Sequence, residues 1–249
     1  MKRYLIVLLL LIPFIFAASI QDMHKKVIVG GGAASGDSYD DLLFFWRCEG
    51  TTLGEDDYSA GDTTADPFND IAIEAGAAKV GSNGCDSDLT NLDRYEFDVT
   101  SGSGDIVSDS EGNIAGWFKI DTWVDGQGLL YVNDVAAQFI KVEMRGTDTP
   151  GIELMFRWND GVNSFNWETT TLGLSEGTWY FIETIYKAAD NRVGFYVSTG
   201  ASRGSLVSST ANTMAAISWS ISCELKVPYA TGSGVQYDNL MVSNDSTRD

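Results

Sequence analysis

Histidine is almost missing from this sequence: His24 is the only one in 249 residues, and it follows directly on an apolar N-terminal stretch. With no imidazole in the rest of the chain, Ser-His-Asp and Cys-His catalysis and histidine-based metal sites are excluded there. An enzyme built from this chain would have to work with carboxylates, Tyr, Lys, Arg or a calcium ion. Cysteine is also scarce. Cys48, Cys85 and Cys223 allow at most one internal disulfide and leave one thiol over, so this is no disulfide scaffold, and their spacings match no zinc pattern. Buried small apolar side chains are the alternative reading for all three; if two do pair, their strand-like surroundings favour Cys48 with Cys223. Cations are few, with 16 Lys and Arg against 35 Asp and Glu for a net charge of −19. That balance repels phosphates and argues against nucleic acid as a partner.

What the sequence does contain is β-forming material. There are 26 Gly but only four Pro, and aromatic residues and Thr recur throughout. The pattern predicts an all-β chain of many short strands joined by Gly, Asn and Asp turns. Strands are expected at 42–48, 72–80, 95–99, 113–120, 129–132, 139–145, 152–158, 164–170, 178–186, 193–198, 218–227 and 235–242. In Ile152-Glu153-Leu154-Met155-Phe156-Arg157-Trp158 the apolar residues alternate with Glu153 and Arg157, as in a half-buried strand. The run Thr178 to Tyr186 is apolar on both faces, like a central strand, and places Glu183 in an unexpected setting.

The N-terminus reads as a secretory signal. Lys2 and Arg3 precede twelve apolar residues, Leu5 to Phe16, and small residues follow at Ala17, Ala18 and Ser19. Twelve residues cover only about 18 Å as a helix against a hydrocarbon core of roughly 30 Å, too little for a stable membrane span. The expected organisation is a signal peptide over 1–18, a flexible Gly-rich leader over 19–40 and one β-sandwich over 41–249. Localisation is then secreted, or at the cell surface or in the periplasm. Gly30-Gly31-Gly32 after Val27-Ile28-Val29 imitates a dinucleotide-binding turn, but the next element is a strand rather than the helix such a turn must open.

Several segments, in order, resemble the laminin-G-like branch of the concanavalin A-like lectin/glucanase superfamily. Gly177-Thr178-Trp179 leads an apolar strand, and Val193 to Gly200 looks like the partner strand of the family's hairpin, with Ser198-Thr199-Gly200 replacing the usual Asp-Gly. Leu42 to Glu49 is similar to the opening strand, Gly116-Trp117-Phe118-Lys119 to the middle one and Val235 to Ser243 to the closing one. The resemblance covers roughly 41–245 and implies a jelly-roll β-sandwich of two curved antiparallel sheets. It also implies pairing of the first and last strands, which would bring Glu49 near Asp238; two such carboxylates suit a structural calcium ion, the alternative being that they bond turn amides.

A glycan or other cell-surface ligand is the partner this reading suggests. Sugars are held by an aromatic face against the ring and by amides and carboxylates on its hydroxyls. Trp123 with Asp125, and Trp167 between Asn166 and Glu168, offer that combination near turns, whereas Trp46, Trp117 and Trp179 read as core. The Glu-x-Asp-x-x-Glu strand of the superfamily's hydrolases does not occur, and Glu143, Glu153, Glu168 and Glu183 each stand alone. Carbohydrate binding without catalysis is therefore the leading expectation. A polysaccharide hydrolase or lyase and a structural or adhesion component of a surface assembly or virion are the alternatives. The oligomeric state is not legible.

Overall fold

The computed structural model describes residues 42–50, 58–59, 66–68, 71–87, 93–101, 104–134, 138–147, 151–200, 204–210, 214–219, 223–229 and 234–244. The segments expected to be signal and leader lie outside the described residues. Along the chain, β1 (Leu42–Trp46) and β2 (Tyr58–Ser59) are followed by β3 (Asp66–Phe68), β4 (Ala72–Glu74), β5 (Gly84–Ser87) and β6 (Arg94–Asp98). A small pair, β7 (Thr100–Ser101) and β8 (Gly104–Asp105), precedes β9 (Glu111–Ile120), β10 (Gly128–Asn133), β11 (Phe139–Thr147) and β12 (Gly151–Asn159). β13 (Ser164–Glu168), β14 (Trp179–Lys187), β15 (Arg192–Ser198), β16 (Leu206–Thr210), β17 (Glu224–Val227) and β18 (Val235–Ser243) complete the series. Among the described residues only two 3-10 turns interrupt the strands, and no α-helix is present.

Apart from the separate β7–β8 hairpin, the strands form two antiparallel sheets, a β-sandwich, as expected. The nine-stranded sheet runs β16-β15-β14-β9-β18-β1-β2, with β5 also paired to β18 and β4 paired to β5; the seven-stranded sheet runs β13-β12-β11-β10-β17-β6-β3. First and last long strands do pair, with Trp46 opposite Leu240. Period-two alternation sends one set of side chains from each sheet into a common core that holds Trp46, Tyr95, Phe97, Phe118, Phe156, Trp158 and Tyr237. Trp46 is fully buried, meets Tyr95 and Phe97 edge-on at 4.9 and 5.1 Å, and donates its indole N–H to Gly50 O at 2.9 Å.

Alternation would break in β18 without a bulge. Asn239 takes the left-handed conformation at φ 51°, and the register against β9 shifts between Asp238 and Met241. The extra residue lets both Tyr237 and Leu240 face the core, three positions apart. Asn is among the few non-Gly residues that tolerate that conformation.

The structure corrects four details. The single strand expected over 72–80 is instead β4, a 3-10 turn at Ala75–Ala77 and a loop that returns as β5; Gly81, at φ 79°, sits in that loop. The strand expected over 218–227 begins only at Glu224. Residues 214–219 find partners elsewhere: Met214 N donates to Asn191 Oδ1, Ala215 N to Asp160 Oδ2 and Ile217 N to Asp109 O. Cys48 lies not beside Cys223, which leads into β17 of the seven-stranded sheet, but beside Cys85 of the nine-stranded sheet, where the two side chains hydrogen-bond. Of the tryptophans read as core, Trp46 lies between the sheets. Trp117 is buried on the opposite face of the nine-stranded sheet, edge-on to Phe181 at 5.5 Å, and Trp179 is half-buried.

Truncating Trp46 removes a side chain of β1 that packs against Tyr95 and Phe97 of β6 and Tyr237 of β18. Trp46→Ala is expected to lower stability by about 3–5 kcal/mol, read as a fall in the denaturant midpoint at unchanged slope.

Candidate functional site

The seven-stranded sheet buries Leu130, Val132, Ile140, Val142, Leu154, Phe156, Leu225 and Val227 on its inner side. Period two then puts Tyr131, Phe139, Lys141, Glu143, Arg145, Arg157 and Lys226 on its outer side. Register aligns part of this set in one rung across six strands: Asn166, Arg157, Lys141, Tyr131, Lys226 and Glu96 are successive opposed partners on β13, β12, β11, β10, β17 and β6.

An aromatic platform stands at the middle of the rung. The Tyr131 and Tyr229 rings are 4.7 Å apart, and Phe139 lies 5.9 Å from Tyr131. Tyr229 is carried over the sheet by its bridge to Gly128, where Gly128 N donates to Tyr229 O at 2.8 Å. A Cβ on Gly128 would stand 2.8 Å from that oxygen and 3.1 Å from Lys141 Cε, so only glycine permits the approach. Cations cap the platform: Lys141 Nζ is 5.7 Å from the centre of Tyr131 and 5.4 Å from that of Tyr229, Arg94 is over Tyr229, and Arg157 is over Phe139.

Each cation of the face also has an acidic partner. Lys141 and Arg157 share Glu143 Oε1 at 2.7 and 3.0 Å. Arg94 is paired with Glu96, Lys226 with Glu224 at 3.0 Å, and Arg145 bridges Asp125 at 3.3 Å and Glu168 at 3.8 Å. In a chain of net charge −19 this face is close to neutral. Glu143 is only 3 % exposed, and burial by itself would raise its carboxyl. Hydrogen bonds from Lys141 and Arg157 outweigh that and hold it below the ordinary value. Tyr131 is pushed the other way, its phenol raised by burial and by Tyr229 beside it.

The residues expected to bind carbohydrate divide between the two sides of the sheet. Asp125 and Glu168 are brought together by Arg145, and Asn166 Oδ1 accepts from Arg157 Nε at 3.1 Å, all on the outer face. Trp167 alternates inward instead and stacks on Phe195 at 5.7 Å, while Trp123 packs half-buried against the core. Neither indole accompanies the polar groups it adjoins in sequence. The aromatic partners are Tyr131, Tyr229 and Phe139, which sequence reasoning missed. The signal available for two of them was the outward register of 129–132 and 139–145 read together, as Tyr131 beside Phe139-x-Lys141-x-Glu143-x-Arg145.

Glu49 and Asp238 do converge, on the loop before β5. Asp238 Oδ2 accepts from Lys79 N at 2.9 Å and Val80 N at 2.7 Å. Glu49 Oε1 accepts from Ser82 N at 2.8 Å and Asn83 N at 3.4 Å, and its Oε2 from Asn83 Nδ2 at 3.3 Å. Burial raises the Asp238 carboxyl to about 6 even against those amide donors. The donors occupy oxygens that calcium would need, leaving Asp238 Oδ1 as the one oxygen of the pair without a hydrogen bond. Among the described residues no three His, Cys, Asp or Glu side chains group to hold a metal ion. A cation wanting six to eight oxygens does not fit this pair.

No protein-family profile matches the chain, and no curated protein matches it in sequence. Solved structures do. The chain is similar to the crystal structure of the botulinum neurotoxin serotype G binding domain, with a TM-score of 0.61 and 11 % identity over 84 % of this chain and 49 % of that one. It is similar to the binding domain of botulinum neurotoxin DC in complex with rat synaptotagmin II, with a TM-score of 0.62 and 10 % identity over 84 % and 49 %. A structure described as "Cell entry of botulinum neurotoxin type C is dependent upon interaction with two ganglioside molecules" gives 0.60 and 9 % over the same shares. The likeness is one of fold. The chain spans about half the length of the structures it matches.

Two expectations follow from these contacts. Glu143→Gln leaves Lys141 and Arg157 without their anion and should cost about 1–3 kcal/mol near pH 7. Because the folded-state Glu143 carboxyl lies below its unfolded value, the stability it adds is present above that unfolded value and is lost as pH falls through the folded one. The variant should lack that acid-side decline when midpoints are followed from pH 6 to pH 2. Thermal unfolding with and without a chelator should give one midpoint; a lower midpoint in chelator would place a cation at Glu49 and Asp238.

Proposed function

We propose that this chain is an exported, non-catalytic binding domain that takes carbohydrate at a cell or particle surface, on the outer face of the seven-stranded sheet. The observation that supports it is the Tyr131–Tyr229 platform ringed by Lys141, Arg157 and Glu143. Aromatic faces match the apolar C–H side of a sugar ring, and surrounding ammonium, guanidinium and carboxylate groups donate to and accept from its hydroxyls. Charge balance on the face suits a neutral glycan better than a polyanion. The fold likeness to toxin structures whose descriptions mention cell entry through gangliosides and a complex with rat synaptotagmin II is in keeping with recognition at a cell surface. The finer family assignment, laminin-G-like within the concanavalin A-like superfamily, is part of the same reading, as is export through residues 1–18.

The carboxylates of this face favour recognition over hydrolysis. Glu143 is held as an anion by two cations, so it is a poor proton donor. Glu153 is occupied by Thr169 Oγ1, Leu172 N and Gly173 N. Retaining hydrolysis needs one protonated and one ionised carboxyl facing each other about 5 Å apart.

A glycan array probed with the full chain is expected to give hits, and Tyr131→Ala and Tyr229→Ala should each weaken binding by about tenfold, roughly 1.4 kcal/mol, with an unchanged circular dichroism spectrum. Hits that survive both substitutions would move the site off this face. New reducing ends or unsaturated products from a bound glycan would make the chain an enzyme.

A further inference from the structure

Strand register brings two cysteines together from distant parts of the chain. β1 and β5 pair with the same edge of β18, β1 at its far end, where Trp46 opposes Leu240, and β5 at its near end, where Cys85 opposes Tyr237. The end of β1 and the start of β5 therefore meet beside Asp238. Cys48, two residues beyond β1, and Cys85, the second residue of β5, both turn into the core there and are fully buried. Their side chains hydrogen-bond to each other, and the Cys85 backbone also bonds the Cys48 sulfur. Cys48 reaches this position in the left-handed conformation, at φ 58°, which is rare for a residue other than Gly, Asn or Asp.

We propose that Cys48 and Cys85 are the site of a disulfide, formed while the chain folds in an oxidising compartment. The proposal rests on the export reading above. Thiol–disulfide exchange supplies the chemistry. One thiolate attacks a donor disulfide carried by a small thiol or an oxidoreductase and releases one thiol, and the second cysteine then displaces the other. The two protein thiols lose two electrons and two protons overall, and the donor disulfide is reduced to two thiols.

The bridge would close the excursion in which the chain adds β2 to the edge of the nine-stranded sheet beside β1, crosses to add β3 to the edge of the other sheet beside β6, and returns through β4 and β5. Closing a long loop restricts the unfolded chain, which is where a disulfide contributes most. Burial of both sulfurs sets the order of events. In the folded protein no donor reaches them and burial pushes both thiols up, away from the reactive thiolate, so the exchange precedes closure of the core. Once formed, the same burial protects the bond from reductant.

The test is refolding of the full chain from denaturant in a buffer of reduced and oxidised glutathione, followed by peptide mapping without reduction. This does not depend on export, so the geometric proposal and the export reading fail separately. A Cys48–Cys85 cross-linked peptide, lost on Cys85→Ser and retained on Cys223→Ser, is the expected result. Reductant should cleave it only with denaturant present, and the oxidised protein should melt roughly 5–10 °C above the reduced one. Two free thiols at these positions after oxidative refolding, or a bridge through Cys223, would overturn the proposal. If Cys85→Ser does not fold, the difference in melting between oxidised and reduced Cys223→Ser gives the same decision. Cross-linked peptide after refolding, with reduced thiols in protein taken from its natural compartment, would retain the geometry and remove the export reading.

Discussion

The ladder along β18 is the constraint on which the rest depends. One edge of this strand holds β9 over nearly its full length, and the other is shared by β1 and β5, so the end of the described chain is stitched to its beginning and to the return of its longest excursion. Hydrogen bonding alone would not make this work. Nine consecutive buried residues have to satisfy the core on one side and a covered surface on the other. The bulge at Asn239 does so by resetting the alternation, which places Tyr237 and Leu240 inward and Asp238 and Met241 outward. Asp238, fully buried, then finds its hydrogen bonds in the backbone of the loop before β5. A carboxylate that would be costly in isolation becomes the anchor of that loop.

The other sheet follows a different rule. Its outer face is not covered by an apolar layer, yet Glu143 is as buried as many core residues. Long side chains do the covering: Lys141 and Arg157 lay their stems across the sheet and meet over Glu143, and the aromatic rings of Tyr131, Tyr229 and Phe139 fill the spaces between. Such a surface is preorganised. Its charged groups are paired with one another around the buried Glu143, so a ligand that replaces the remaining solvent there orders little that is not ordered already.

How far this was legible from sequence differs by level. The pairing of first and last strands is not local and comes only as what the family resemblance implies. The two-sheet architecture was readable because alternation and turn residues are local signals, and the strand at 152–158 shows them without ambiguity. The inward turn of Trp167 was not, although the same rule governs it. A Trp between Asn166 and Glu168 reads as part of a polar cluster until period two is applied to β13, which puts Phe165 and Trp167 on one side and their polar neighbours on the other. Tyr229 was beyond reach. It belongs to no long strand, and only the close approach at Gly128 brings it over Tyr131. The Cys48–Cys85 contact is equally non-local, since it needs the knowledge that β1 and β5 occupy the same edge of one strand.

The face and the charge of the whole molecule have to be considered together. With 35 acids to 16 bases, the net charge of the chain repels anionic cell coats and membranes and limits indiscriminate contact. Five of the cations are gathered on the outer side of the seven-stranded sheet, and acids of the same face balance them, with Glu143 shared by Lys141 and Arg157 and Arg145 bridging Asp125 and Glu168. The result is a patch with high hydrogen-bonding capacity and little net field, set in a negative surround. Specificity on such a patch comes from matched donors, acceptors and ring faces at short range, because long-range attraction contributes nothing to the encounter. A partner that is itself uncharged, rigid and rich in hydroxyls loses least from that arrangement, and this is the physical reason the proposed occupant is a neutral sugar rather than a phosphate, a sulfate or a basic protein.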